Sequence, residues 1–297
     1  MIFAGTAGPH FDTEYDFSKI NPDPYRRRNQ MANRLSFFSV CLSSAITYSS
    51  GAANYFVYCN PKITSRWKVF AGTFLGLGLS FTLTFTLGCG LASGIRTNQT
   101  WRDAGLDAGA LIAAAYAPLG SLGKVCAVIT ALGLVSNMIP PIYCSGIDFQ
   151  ILGRYPAMVP RFVWNTIAIA VVACLALAGK DNLLFIFANF LAIMGYWVVL
   201  WTAISLEEEF IFRRRKPGYV WSDWKRQKKL PIGIAAFLAF CIGAVGTMLS
   251  SATFYYTGPI ARLLGQNGVD MGNYAGFTLV GLVFPPLRWL ELRRFGR

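Results

Sequence analysis

Two clusters of small and polar residues interrupt stretches of the sequence that are otherwise apolar. The first, at residues 47–55, reads TYSSGAANY, and the second, at residues 136–143, reads SNMIPPIY. An interrupted helix inside a membrane exposes backbone groups and helix ends that can contact a solute. Both clusters are therefore candidate binding sites for a small polar molecule.

In the first cluster, Gly51 is the expected point of unwinding, because glycine has no Cβ and adopts conformations that end a helix. Polar side chains surround it, and we take Tyr48, Ser49, Ser50 and Asn54 as candidate binding residues. The alternative is that the small residues of this cluster only allow a neighbouring helix to pack closely.

In the second cluster, Pro140 and Pro141 remove two adjacent backbone donors, which predicts a break in the helix. Asn137 lies about one turn before that break. Its carboxamide offers both a donor and an acceptor, which is the complement that the edge of a nucleobase needs. The alternative is a purely structural kink that Asn137 caps.

The composition of the whole chain is typical of an integral membrane protein. Of its 297 residues, 54% are hydrophobic and only 14% are charged. Apolar runs of about 20 residues, the length that crosses a bilayer as a helix, recur seven times. They lie near 36–58, 69–95, 122–147, 162–179, 182–206, 231–257 and 272–290. We therefore predict an all-α, polytopic membrane protein with about seven transmembrane helices.

The basic residues lie between these runs, and their distribution predicts the orientation of the chain. The connections after the first, third and fifth runs, with the C-terminal tail, hold 17 Lys and Arg residues, whereas the opposite group holds 5. The positive-inside rule therefore places the C-terminus in the cytoplasm. Anionic lipid accounts for the net charge of +13, so no nucleic-acid partner is expected. Arg26, Arg27, Arg28 and Arg34 precede a run expected to start outside, a conflict that the sequence leaves open.

Two connecting segments differ in composition from the other connections. The stretch 101–120 is apolar but contains charges, a proline and glycines, which predicts a surface-lying or re-entrant helix on the external side, with a plain loop as the alternative. The stretch 207–230 mixes acids, bases and aromatic residues, as an interfacial loop does.

The sequence contains no residue set typical of an enzyme or a metal site. Its seven cysteines lie mostly inside apolar runs, His10 is its single histidine, and Asp148 is the one acid expected close to the end of a run. We therefore expect no catalytic residues, no metal and no redox chemistry. A largely uncharged path suits a neutral solute.

Several motifs along the chain together resemble the fungal purine-cytosine permeases of the nucleobase-cation symport family. They are the segments 35–37 (LSF), 48–58 (YSSGAANYFVY), 135–140 (VSNMIP), 272–277 (GNYAGF), 285–288 (PPLR) and 295–297 (FGR). The resemblance covers residues 35–297 and leaves 1–34 as a polar segment outside the family. It implies helices six to twelve of a twelve-helix, LeuT-like transporter with inverted repeats.

The resemblance also implies roles for individual residues. Tyr48 falls where the family has an aromatic residue that stacks on the base, and Asn54 falls where an aspartate is common. Asn137 and Pro140 match the polar cluster of the eighth helix, whereas Met138, Pro141 and Ile142 depart from it. The family imports cytosine and purines with protons, so a proton is the expected coupling ion and no other cofactor is expected.

We therefore expect a plasma-membrane transporter of nucleobases, whose partners are the lipid bilayer and a purine or cytosine. Its substrate-binding residues are expected to be Tyr48, Ser49, Ser50, Asn54, Asn137 and Pro140, with Gly51 and Pro141 as points of helix break or gating. Because LeuT-like sites lie between the two repeats, an oligomer or the missing N-terminal helices would have to complete the site. The alternative is a truncated, transporter-derived membrane protein without transport activity of its own.

Overall fold

The long apolar runs of the sequence form helices, because backbone groups in lipid must satisfy one another within the same segment. The computed structural model describes residues 7, 26–56, 59–60, 64–95, 98–104, 107–179, 183–214, 230–253, 255–264 and 268–296. In these ranges the helices are α1 (Arg26–Ser50), α2 (Ala52–Phe56), α3 (Arg66–Gly94), α4 (Gln99–Ala104), α5 (Ala108–Tyr116), α6 (Ser121–Ile151), α7 (Arg154–Met158), α8 (Arg161–Gly179), α9 (Leu183–Glu207), α10 (Ile234–Ser250), α11 (Pro259–Leu263) and α12 (Gly272–Phe295). The class of all-α, polytopic membrane protein is confirmed.

A long helix occupies each of the seven predicted spans: α1, α3, α6, α8, α9, α10 and α12. Four segments are long and apolar enough to cross a membrane, namely Arg66–Gly94, Ser121–Ile151, Arg161–Gly179 and Asn189–Arg213. Helix α10 is apolar but shorter, at 17 residues. The LeuT-like arrangement of these helices stays a prediction.

The first predicted span, 36–58, is wrong in its limits. Helix α1 starts ten residues earlier, at Arg26, because the polar residues before Ser36 are also good helix formers. It ends at Ser50, where Gly51 forms a turn. The sixth span is also shorter than predicted, since α10 ends at Ser250 rather than near residue 257.

Both connecting segments are partly helical. In the stretch 101–120, α5 begins after Asp107, whose carboxylate accepts hydrogen bonds from the backbone N–H of Gly109 (2.8 Å) and Ala110 (3.3 Å) and so caps the helix. The plain-loop alternative for this stretch is therefore wrong. After α9, residues Glu208–Arg213 continue as a π-helix, and residues 215–229 of the predicted interfacial loop lie outside the described residues.

The chain divides into two compact units. Unit 1 comprises residues 1–22 and 51–186, and unit 2 comprises residues 23–50 and 187–297. Helix α1 runs without interruption across the predicted boundary between residues 34 and 35. Most of the polar segment 1–34 lies outside the described residues. So do Lys62, Arg96, Lys180, Arg297 and the basic residues of 215–229 from the charge count.

In unit 1, α6 packs closely against α8. Gly146 of α6 leaves room for the side chain of Asn165 on α8, which approaches so closely that a Cβ at position 146 would overlap it. Next to this contact, the rings of Phe149 and Trp164 stack with their centroids 5.0 Å apart. Glycine and a stacked aromatic pair thus join α6 to α8.

Unit 2 has a core between α9, α10 and α12. Its buried members are Leu200, Ala203, Ala235, Ala239, Val280 and Phe284. Glycines on α10 let α12 approach closely, since Cβ atoms at Gly243 and Gly246 would overlap Val280 and Leu279. This small-residue packing is typical of helices that associate inside a membrane.

Ion pairs join the ends of the same three helices in unit 2. Arg288 on α12 pairs with Glu208 after α9 (3.0 Å) and with Glu291 (3.3 Å). Glu291 in turn accepts hydrogen bonds from the backbone N–H groups of Gly233 (3.0 Å) and Ala235 (2.9 Å), and so caps the start of α10. A cavity of about 240 Å³ lies beside this network.

Candidate functional site

The first polar cluster forms the end of one helix and the start of another. Helix α1 ends at Ser50, Gly51 forms a turn, and α2 begins at Ala52. Three hydroxyl groups near this end donate to carbonyls three residues earlier: Thr47 to Ser44 (2.9 Å), Ser49 to Ile46 (2.6 Å) and Ser50 to Thr47 (2.8 Å). Such bonds compete with the regular helical pattern and favour its interruption here.

Two side chains at this helix end have the chemistry that a base requires. Tyr48 is 43% exposed, so part of its side chain is open to the surroundings of the helix. The hydroxyl of Ser49 lies 3.3 Å from that of Thr202 on α9, and either oxygen can donate. Thr202, which the sequence analysis missed, thus adds a second hydroxyl beside Ser49.

The break predicted at Pro140 and Pro141 is wrong at the level of secondary structure. Helix α6 runs from Ser121 to Ile151 through both prolines. The φ of proline is itself helical, so residues 140 and 141 can keep helical dihedral angles even though their donors are lost. The carbonyls of Ser136 and Asn137 therefore have no N–H group four residues ahead to bind, and this keeps their hydrogen-bonding capacity available.

The side chains around Asn137 are exposed on every side of the helix. All residues from 131 to 141 are exposed, including Asn137, Pro140 and Pro141. A turn of a membrane helix that carries an amide and two carbonyls without helical donors can bind a polar solute.

A hydrogen bond within unit 1 joins two residues that the sequence analysis treated separately. The amide of Asn54 on α2 donates to the carboxylate of Asp148 near the end of α6, at 3.2 Å. An aspartate at position 54, as the family resemblance would have it, would place two negative charges at this contact. Asparagine replaces that repulsion with a hydrogen bond. The contact joins residues 94 positions apart, so no local pattern of the sequence could have indicated it.

The predicted binding residues belong to two units. Tyr48, Ser49 and Ser50 lie in unit 2, whereas Asn54, Asn137 and Pro140 lie in unit 1. Their combination into a single binding site therefore stays a prediction.

A second acid near the end of a span was missed by the sequence analysis, which expected only Asp148. Asp270 lies just before α12 and is 5% exposed. Its carboxylate accepts hydrogen bonds from the hydroxyls of Ser39 (2.7 Å) and Tyr196 (2.6 Å) and from the backbone N–H of Gly272 (3.2 Å). The sequence feature that could have indicated Asp270 is its position as a single acid directly before an apolar run.

Comparison with known proteins shows clear relatives among fungal transporters. The chain is 35% identical over 272 residues to the purine-cytosine permease fcyB of Emericella nidulans, which covers 91% of this chain and 53% of that permease. It is 33% identical over 268 residues to the purine-cytosine permease FCY2 of Saccharomyces cerevisiae, covering 89% and 50% of the two chains. It is also 29% identical over 330 residues to the vitamin B6 transporter TPN1 of the same yeast, covering 94% and 56%.

The chain spans about half the length of the curated relatives it matches. No family model matches it, and no solved structure does.

Proposed function

Because the chain is a homologue of the fungal purine-cytosine permeases, we propose that it contributes the C-terminal part of a nucleobase transport pathway, with cytosine or a purine as solute. The similarity to those permeases over about nine tenths of the chain is the observation that carries the proposal. The partly exposed aromatic side chain of Tyr48 at the end of α1 supports it, since base-aromatic stacking accepts any planar base.

Further features of the proposal follow from the sequence. The excess of basic residues in alternate connections supports a cytoplasmic C-terminus, and the similarity to permeases supports a location in the plasma membrane. A proton is the proposed coupling ion. The named solutes of the relatives differ, since one is a vitamin B6 transporter, so pyridoxine belongs among the candidate solutes to be compared.

Uptake in cells that lack their own permeases tests the proposal. Radiolabelled cytosine, adenine, hypoxanthine and pyridoxine are supplied to cells that express this chain alone, or the chain with the N-terminal half of fcyB fused before Leu35. We expect nucleobase uptake above the vector control from at least the fused protein. If neither protein takes up any of the four compounds while both reach the membrane, the proposed function is wrong.

A second candidate is a membrane protein that does not transport by itself. The exposure of residues 131–141 favours it, because the rest of the described chain covers this part of α6, which carries Asn137, only lightly. Uptake by this chain alone would exclude the second candidate, whereas uptake by the fused protein only would support it.

A further inference from the structure

The one Asn-x-Ser/Thr triplet of the sequence lies between α3 and α5. It is Asn98-Gln99-Thr100, and its middle residue is not proline. This triplet is the acceptor for asparagine-linked oligosaccharides, which cells attach on the side of the membrane that becomes external. Such triplets also arise by chance, so the surroundings of Asn98 decide whether this one can serve as an acceptor.

The proposed orientation of the chain places this connection outside. Helix α3 begins with Arg66 and Lys68, which belong to the basic group that the positive-inside rule assigns to the cytoplasm. The other end of α3 is at Gly94, so the triplet that follows it lies on the external side.

Helix α3 is longer than a bilayer requires. It has 29 residues, and the part that follows Lys68 is about 39 Å long. A tilt of about 20°, the average for membrane helices, shortens its span by only about 2 Å. Since the hydrocarbon core is about 30 Å thick, the end of α3 extends out of that core. The triplet begins beyond this end.

Packing of α4 turns the triplet outward. Trp101 is 2% exposed and belongs to a buried cluster with Leu91 and Ala115 of the same unit. Successive residues of a helix point in different directions, so this anchor leaves other positions of α4 on the outside. Gln99 and Thr100 are both exposed.

The hydrogen bond that Asn98 makes is compatible with a glycan. Its side-chain oxygen accepts from the backbone N–H of Thr100 at 3.0 Å. A glycan is attached to the other end of the carboxamide, the nitrogen, so the oxygen keeps its lone pairs. Asn98 is only half-buried. The folded chain can therefore carry the modification and retain this contact.

A purely structural role explains only part of the triplet. Aspartate or serine at position 98 could also accept from the N–H of Thr100, so the start of α4 requires no amide there. The same contact uses the backbone of Thr100 and not its hydroxyl. The acceptor triplet, by contrast, requires both the amide and the hydroxyl.

From these observations we infer that Asn98 carries an asparagine-linked oligosaccharide on the external side of the membrane. The side-chain nitrogen of Asn98 bonds to the first sugar carbon of a lipid-linked oligosaccharide diphosphate. The bond from that carbon to the diphosphate breaks, the diphosphate leaves with the electron pair, and the nitrogen releases one proton. The oligosaccharyltransferase of the host cell supplies this donor. Attachment rests on the proposed orientation of the chain but not on transport.

Glycosidase treatment of the full chain tests this site. The chain is expressed in yeast with a peptide tag and compared on immunoblots before and after peptide-N-glycosidase F, which removes such oligosaccharides. We expect one discrete shift to higher mobility after treatment. Because the glycosidase converts a glycosylated asparagine to aspartate, mass spectrometry should find aspartate at position 98 of the treated protein.

Matched variants separate the glycan from the fold. Asn98→Asp keeps an oxygen that can accept from the N–H of Thr100 but loses the amide nitrogen, so it should fold and lose the shift. Thr100→Ala should also lose the shift, whereas Thr100→Ser keeps the hydroxyl and should retain it. Persistence of the shift in both Asn98→Asp and Thr100→Ala would overturn the inference.

A second acceptor distinguishes a wrong site from a wrong orientation. An Asn-Gly-Thr sequence is added on a spacer after Arg297, where we expect no glycan because the C-terminus is proposed to be cytoplasmic. A glycan there but none on Asn98 would show that the orientation is wrong and would overturn the inference with it. A glycan at neither position would overturn the inference and leave the orientation intact. Since uptake is not measured, failure of the transport proposal would not affect these results.

Discussion

At the scale of single residues, side-chain chemistry at the ends of helices suits a polar, uncharged solute. Tyr48 is a partly exposed aromatic residue, Asn137 is an exposed amide residue, and Asn54 donates to Asp148. The Asn54–Asp148 bond holds α2 to the end of α6 within unit 1. Asn54, one of the predicted binding residues, therefore also positions a helix.

Replacing Tyr48 by alanine removes the proposed stacking surface. Stacking of one base on an aromatic ring contributes about 1–3 kcal/mol, which corresponds to a dissociation constant about 5- to 150-fold higher. Equilibrium binding of radiolabelled adenine to membranes that contain the protein measures the change. Tyr48→Phe is the matched control and should bind within about twofold of the wild type. Wild-type affinity in Tyr48→Ala would remove Tyr48 from the site.

At the scale of helices, close packing in unit 2 depends on glycines placed where another chain segment approaches. Gly195 of α9 faces Ser43 of α1, and a Cβ at Gly195 would lie 2.8 Å from the Cα of Ser43. The obstacle is backbone, which cannot rotate away as a side chain does. By contrast, nothing lies within 4 Å of the corresponding position at Gly76 of α3.

These two glycines give a matched pair of substitutions. Gly195→Ala should push α1 away from α9 and lower the free energy of unfolding by about 1–3 kcal/mol. Gly76→Ala should be neutral or stabilising by up to about 1 kcal/mol, because alanine is the better helix former. Thermal unfolding in one detergent compares them directly. Equal midpoints for the two variants would show that the contact between α1 and α9 does not contribute to stability.

At the scale of the whole molecule, the distribution of basic residues sets the expected orientation in the membrane. The bias of 17 to 5 lies in the connections, so it acts on the chain as a whole rather than on one helix. The arginines in the N-terminal part of α1 oppose it. The downstream bias is larger, and we expect it to prevail.

Epitope tags test this orientation. A tag after Arg297 should bind antibody only once the cells are permeabilised, whereas a tag inserted after Ala104, between α4 and α5, should bind on intact cells. Both tags on one chain provide the internal control, since an inverted orientation would exchange the two results. Accessibility of both tags on intact cells would contradict the predicted number of spans between them.

The sequence was sufficient to predict the helical class and the approximate positions of the seven long helices. The signal is local, because about 20 apolar residues without charge form a helix in lipid whatever their neighbours are. The predicted limits of a helix were less accurate where polar residues continue the helix beyond the apolar run, as they do from Arg26 onward. The resemblance to the permeases also rested on residues that lie close together in the sequence, and the relatives found by comparison support it.

Only the tertiary structure showed which polar residues meet. Ser39 and Asp270 are 231 residues apart and Asn54 and Asp148 are 94 apart, so no periodicity in the sequence reports on either contact. The continuity of α6 through Pro140 and Pro141 was also seen only in the structure, because the loss of two donors in the sequence does not decide whether neighbouring contacts keep the helix intact. Apolar length is a property of one segment, whereas the burial of a carboxylate depends on the segments that fold against it.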